Sequence, residues 1–181
     1  MLKRKINAAV SLLTTAMLLT HAIVFSIFML TRCRVADILW IMSWVLLGVM
    51  LIHALISIDI AISAHAETGE RKGKSYPKMN VPTVVQRASG MLMLPAIILH
   101  VLDATGVIVP PQMVQAVVHP LFFAAALAHT AISTSKALIT LGIGNAKLIK
   151  IVNVVMRVIC GATLIAAVIG IYLRTFAGGA A

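Results

Sequence analysis

Four histidines, His21, His53, His100 and His129, stand at matched depths in four apolar stretches of the chain. Each lies 15 or 16 residues in from the point where its stretch begins. That is about 22–24 Å along a helix crossing an apolar layer of about 30 Å. Successive spans run in opposite directions, so the four sort into two levels: His21 with His100 nearer one face, His53 with His129 nearer the other. An ionisable side chain inside a membrane is costly unless it is paired or used. One such histidine alone reads as a polar group satisfied between helices. Four of them, one per helix and paired by depth, present facing imidazoles, the arrangement that two six-coordinate haems require. The levels differ by about 15 Å of helical rise, so two such groups would form an electron path across the bilayer. A proton relay or transporter built on the same histidines would bring more buried acids and helices broken near the midplane. The chain shows little of either.

The elements that must position these residues are helices. With 61% hydrophobic and 11% charged residues in 181, and a mean hydropathy of +1.05, the composition is that of an integral membrane protein. Five stretches are long enough to span: Ile6 to Leu30, Asp37 to Ala66, Val84 to Asp103, Met113 to Leu141, and Ala146 to Thr175. They predict an all-α, five-helix bundle enclosing two b-type haems, with residues 1–181 as one domain. Lys3-Arg4-Lys5 ahead of an apolar run resembles a signal peptide. The run is too long for one, lacks a small-residue cleavage site and carries His21, so it reads as a retained span. Pro110-Pro111 and Gly142-Ile143-Gly144-Asn145 mark tight reversals. The longest polar stretch leaves no room for a soluble domain.

The net charge of +10 comes without a basic helix or an aromatic platform, so no nucleic-acid partner is expected. The basic residues instead orient the spans. Lys3, Arg4 and Lys5, the group Arg71, Lys72, Lys74, Lys78 and Arg87, and the group Lys136, Lys147 and Lys150 all fall on one side of five spans. That side is predicted to be cytoplasmic, with the amino terminus there and the protein in the cell's inner membrane. Arg32, Arg34 and Arg174 fall on the other side. Cys33 and Cys160 have no metal-ligand spacing and no reason to pair.

Around the histidines the sequence resembles a known family. Gln86-Arg87-Ala88-Ser89-Gly90, followed ten residues after the glycine by His100, is similar to the Gln-Arg-x-Ser/Thr-Gly…His element of the five-helix dihaem cytochrome b subunit of succinate:quinone oxidoreductases (succinate dehydrogenase and fumarate reductase, complex II). His53-Ala54-Leu55…Ile60-Ala61, the run from His129 to Thr140-Leu141-Gly142-Ile143, and His21 in the first span follow in the family's order. The resemblance covers essentially the whole chain. It implies that His21 with His100 holds a distal haem b and His53 with His129 a proximal one. It also implies a flavoprotein and an iron–sulfur subunit as partners on the cytoplasmic face, docked on the connection from Glu67 to Pro82. The resemblance further implies a quinone, menaquinone in common relatives, as the membrane substrate. The enzyme's dicarboxylate chemistry would lie on the flavoprotein, and the complex is expected to pair as a dimer of heterotrimers. The connection from Thr31 to Ala36 is shorter than is usual in the family.

Further residues are candidates for single roles. Arg87 reads equally as a haem propionate partner or as a positive-inside anchor. Ser89, eleven residues before His100 and near its face, is placed to donate to a haem edge, and Gly90 to admit a macrocycle or helix closely. Lys136 lies two turns beyond His129 on its face, suited to a propionate or to snorkelling. Asn7 occupies a position where the family often has a small polar residue near a propionate. Arg157, about 16 Å into the fifth span, calls for a buried partner, either a propionate or Asp59. Asp103 and Asp37 are candidates for a quinone site on the outer side, or for ion pairs with Arg32 or Arg34. His65 and His119 read as interfacial residues, with a quinone contact as the sharper alternative. Two rival functions stay open: the cytochrome subunit of another quinone-linked enzyme, such as a hydrogenase, formate dehydrogenase or heterodisulfide reductase, and a haem-free transporter.

Overall fold

A computed structural model describes residues 2–31, 36–69 and 81–177, with side chains described except at 36–38, 64–69, 82 and 177. The regular elements among the described residues are all helices. These are α1 (Leu2–Thr31), α2 (Ala36–Gly69), α3 (Val81–Ala104), α4 (Gln112–Thr140) and α5 (Ala146–Tyr172), the last running into a π turn at Leu173–Ala177. All five are long and apolar enough to cross a membrane. The predicted spans match them to within a few residues, and the protein is a multi-pass membrane protein by this measure. Cys33 and the connection's Arg71, Lys72, Lys74 and Lys78 lie outside the described residues, as do the side chains of Asp37 and His65.

The distribution of polarity is what hydrocarbon selects. Large apolar side chains face outward, with Leu55 67% exposed and Ile62 65% exposed. Beside its apolar core the interior holds small hydroxyls, Ser26, Ser89, Thr130, Ser133, Thr134, Ser135 and Thr163. Most of these return their proton to the helix: Ser26 Oγ to Ala22 O at 2.7 Å, Thr130 Oγ1 to Ala126 O and Thr134 Oγ1 to Thr130 O, both at 2.8 Å. Small residues let helices approach where lipid offers no hydrophobic driving force between them.

α1, α4 and α5 pack mutually, α2 leans on α1, and α3 on α4. Their common core is Ala22, Phe123, Leu127, Met156, Cys160, Ala167 and Ile171. Register is set by a few polar contacts. Asn7 meets Ser57 at 3.1 Å and Lys3 meets Asp59 at 3.0 Å, which makes α1 and α2 antiparallel. At the far end Arg174 donates from Nη2 to Phe28 O at 3.1 Å and stacks on the Phe28 ring at 4.2 Å, which makes α1 and α5 parallel. The α4–α5 reversal uses both turn residues that the sequence marks. Gly142 (φ +96°) closes α4, its N–H bonding Ile139 O while Ile143 N–H bonds Leu138 O, a left-handed cap that favours glycine. Asn145 then caps α5, accepting from Lys147 N at 3.0 Å and Leu148 N at 3.1 Å.

One close helix contact was not legible in the sequence. A Cβ added at Gly170 would sit 2.6 Å from Met29 Cβ, so α5 and α1 touch where only glycine fits. Gly170→Val is expected to destabilise the bundle by about 1–3 kcal/mol, read as a lowered unfolding temperature in detergent. Gly161→Ala, where an added Cβ meets nothing within 4 Å, is expected to be neutral in the same assay.

Candidate functional site

The four histidines occupy two levels of the bundle interior. At one level, His21 from α1 and His100 from α3 line the same apolar cleft. Its other walls include Trp40, Ser43 and Trp44 from α2 and Phe122, Phe123 and Leu127 from α4. The cleft is walled almost entirely by apolar side chains, and part of it opens to the outside. It exists because α2 and α3 each lean on a different partner and are not themselves closely packed.

The second level lies where α3 and α4 meet. Gly90 on α3 faces the His129 ring so closely that an added Cβ would stand 3.1 Å from His129 Cε1. His100 follows Gly90 by ten residues on the same helix, so the levels are about 15 Å apart, as the spacing of the histidines predicts. His53 is an electrostatic neighbour of His129, as His100 is of His21.

The hydrogen bonding of the rings follows one scheme. His129 Nδ1 lies 3.0 Å from Gln86 O and 3.2 Å from Ser89 Oγ. His21 Nδ1 lies 3.4 Å from Ser43 Oγ, whose own proton goes to Leu39 O at 2.6 Å. A ring whose Nδ1–H is held by a carbonyl or hydroxyl oxygen presents the Nε2 lone pair, the form that ligates a metal. His53 Nδ1 and His100 Nδ1 are buried without any partner. Each level thus combines one histidine held at Nδ1 with one whose buried nitrogen is orphaned, and no Nε2 of the four is hydrogen-bonded among the described residues. The two orphaned nitrogens, Nδ1 of His53 and of His100, call for a partner such as a water. Among the described residues no cluster of three or more metal-binding side chains forms. Two imidazoles per iron, with the remaining positions filled by a macrocycle, need no such cluster.

Other predicted residues come together differently from expectation. Ser89 is buried, gives its proton to Val85 O at 2.7 Å and meets His129 on the neighbouring helix; its expected place was the His100 face of its own helix. Lys136 holds Gln86 Oε1 at 2.6 Å and Thr83 Oγ1 at 3.0 Å, while Gln86 Nε2 donates to Ser133 Oγ at 3.0 Å. The lysine therefore ties α4 to the segment of α3 that carries the Gln86 carbonyl. Asn7 is engaged with Ser57, one turn beyond His53. Arg87 is exposed at the start of α3.

Arg157 requires correction. Its side chain is exposed on α5, and Asp59 is paired with Lys3 instead. α5 presents residue 157 to the outside because Met156 and Cys160 take its inward face.

Asp103 has an unexpected partner. His119 Nε2 stands 2.8 Å from Asp103 Oδ2, joining the start of α4 to the end of α3. The His119 ring meets the His100 ring edge-on, centroids 5.8 Å apart, and Phe122 stacks on His100 at 5.1 Å. Asp103, His119, His100, Gln115 and Phe122 line a smaller cavity beside the first. His100 and Phe122 belong to both. The pairing was hidden in sequence by fifteen intervening residues and a turn.

No protein-family model, no curated protein and no solved structure matches the chain.

Proposed function

We propose that the chain is a dihaem membrane cytochrome b: His21 with His100 and His53 with His129 would each hold one haem b. The carrying observation is that two levels of half-buried imidazoles, two of them with a buried Nδ1 that has no partner, coincide with an apolar cleft at one level and a tight glycine approach at the other. Bound haem supplies a reversible one-electron couple. The chain's own residues would hold and orient the axial rings, wall the His21/His100 level with Trp40, Trp44, Phe122 and Phe123, and set the levels about 15 Å apart.

The resemblance in the ordered motifs supports a more specific role as the membrane anchor of a succinate:quinone oxidoreductase. Electrons would pass between an iron–sulfur partner, the His53/His129 level, the His21/His100 level and a quinone, with the flavoprotein carrying the dicarboxylate chemistry. The amino-terminal side would face the cytoplasm. The cavity beside His100 suits a quinone head group: apolar walls, an Asp103–His119 pair as hydrogen-bonding end, and a shared wall with the neighbouring cleft. Arg87 and Lys136 lie at the end of the bundle where propionates of the inner haem would need cations.

The deciding measurement is haem content per polypeptide by pyridine haemochrome assay, on the chain purified with whatever accompanies it. Two b haems per chain is the expected result. A folded, colourless preparation would end the cytochrome reading in favour of the transporter.

A further inference from the structure

α5 carries an unsatisfied polar stripe at membrane depth. Lys150, Asn153, Arg157 and Gly161 follow one another at spacings of three and four residues and share a helix face. Asn153 is half-buried and Arg157 exposed, and neither side chain makes a hydrogen bond or ion pair among the described residues. An added Cβ at Gly161 meets nothing within 4 Å, so the stripe ends in open space beside a residue that permits close helix approach. Arg157 is eleven residues from the start of α5, about 16 Å along its axis. Lys150 marks the shallow end of the stripe, and Arg157 lies about 10 Å beyond it, where a guanidinium is costly in hydrocarbon unless it is paired or snorkels.

The chain offers no acid at that level, in its own fold or in a second copy. α1 and α5 are parallel and Gly170 lies against Met29. Arg157, thirteen residues before Gly170, is therefore level with about residue 16 of α1. Asp59 pairs with Lys3, roughly 15 Å or more nearer the end of the bundle. Asp103 is engaged by His119 and largely buried, its side chain 17% exposed. Asp37 and Glu67 are at the two ends of α2, and Glu70 follows it. A second copy in the same membrane orientation would repeat these levels.

We infer that the Asn153–Arg157–Gly161 face of α5 is the docking site for a transmembrane helix of a different polypeptide carrying an aspartate or glutamate at mid-membrane depth. The carboxylate answers Arg157, the Asn153 amide bonds across the interface, and Gly161 lets the two backbones approach. The inference is independent of haem binding.

The test is site-specific photo-crosslinking in the source cell's own membranes, with a benzoylphenylalanine at Val154, which is 53% exposed and one turn from Arg157. The expected result is one adduct with a second polypeptide whose span, identified by mass spectrometry, contains a mid-span carboxylate. R157Q is expected to reduce the adduct about tenfold, and R157K to retain it. Exchanging the charges, R157D here and arginine for the partner's acid, should restore the adduct, a result that misfolding cannot produce. An adduct with a second copy of the chain, with lipid alone, or with a span lacking an acid would overturn the inference. So would an adduct that R157Q leaves undiminished.

Discussion

Alanine at His129 is expected to remove one haem and leave the other, so that a chain holding two b haems falls to one. His53→Ala should give the same product, and the double variant should be no worse than either single. Alanine at His21 or His100 should remove the other haem instead. A six-coordinate haem loses a protein–iron bond outright in each case, a larger effect than the about 10–100-fold lost when only a ligand's hydrogen-bonding partner is removed. The two pairs occupy levels about 15 Å apart and share no ring contact, so their losses should be separable. Haem content with a redox titration of the residual absorbance checks this. Removal of the same haem by His53→Ala and His21→Ala would refute the pairing.

Gly90→Val is expected to cost the haem proposed at the His53/His129 level without replacing either histidine. The first atom of any side chain at residue 90 stands 3.1 Å from His129 Cε1 and 3.4 Å from Nδ1, tighter than ordinary van der Waals contact. Two further methyl groups force the ring away from the Gln86 carbonyl, 3.0 Å from Nδ1, or force α3 from α4. The expected outcome is one haem per chain, with stability reduced by about 1–3 kcal/mol. Gly90→Ala needs a shift of only a few tenths of an ångström and should weaken the site less. Measured haem content and thermal unfolding of the two variants distinguish steric displacement from a general loss of fold. A Gly90→Val chain with both haems and an unaltered unfolding temperature would show that the approach of Gly90 to His129 has been misplaced.

The motif around Gly90 shows where reading a sequence stops. Gln86-Arg87-Ala88-Ser89-Gly90 is adjacent in sequence to His100, and helical periodicity puts Ser89 close to its face. In the fold, Gln86, Ser89 and Gly90 surround His129, which is some forty residues away. Helical geometry relates residues within α3 but says nothing of the rotation of α3 against α4. That rotation is set by contacts such as Lys136 with Gln86 and Gln86 with Ser133. Arg157 illustrates the same limit: its position along α5 follows from counting, and its facing depended on Met156 and Cys160 filling the core. His119 became more than an interfacial residue only when the turn after α3 brought it to Asp103.

What the sequence alone determined was the axial coordinate: five apolar helices, their limits to within a few residues, and the two levels of histidine. These follow from hydrophobicity against a layer of fixed thickness and from a constant rise per residue. What the tertiary structure decided was everything lateral. It put α2 and α3 apart to leave the cleft at His21 and His100, and put Gly90 and Gly170 where neighbouring helices touch. It also gave Asp59 to Lys3 and left Arg157 facing outward. Lipid does not distinguish one apolar side of a helix from another, so small residues and a few polar contacts settle those choices. Their outcome exists only once the helices are packed.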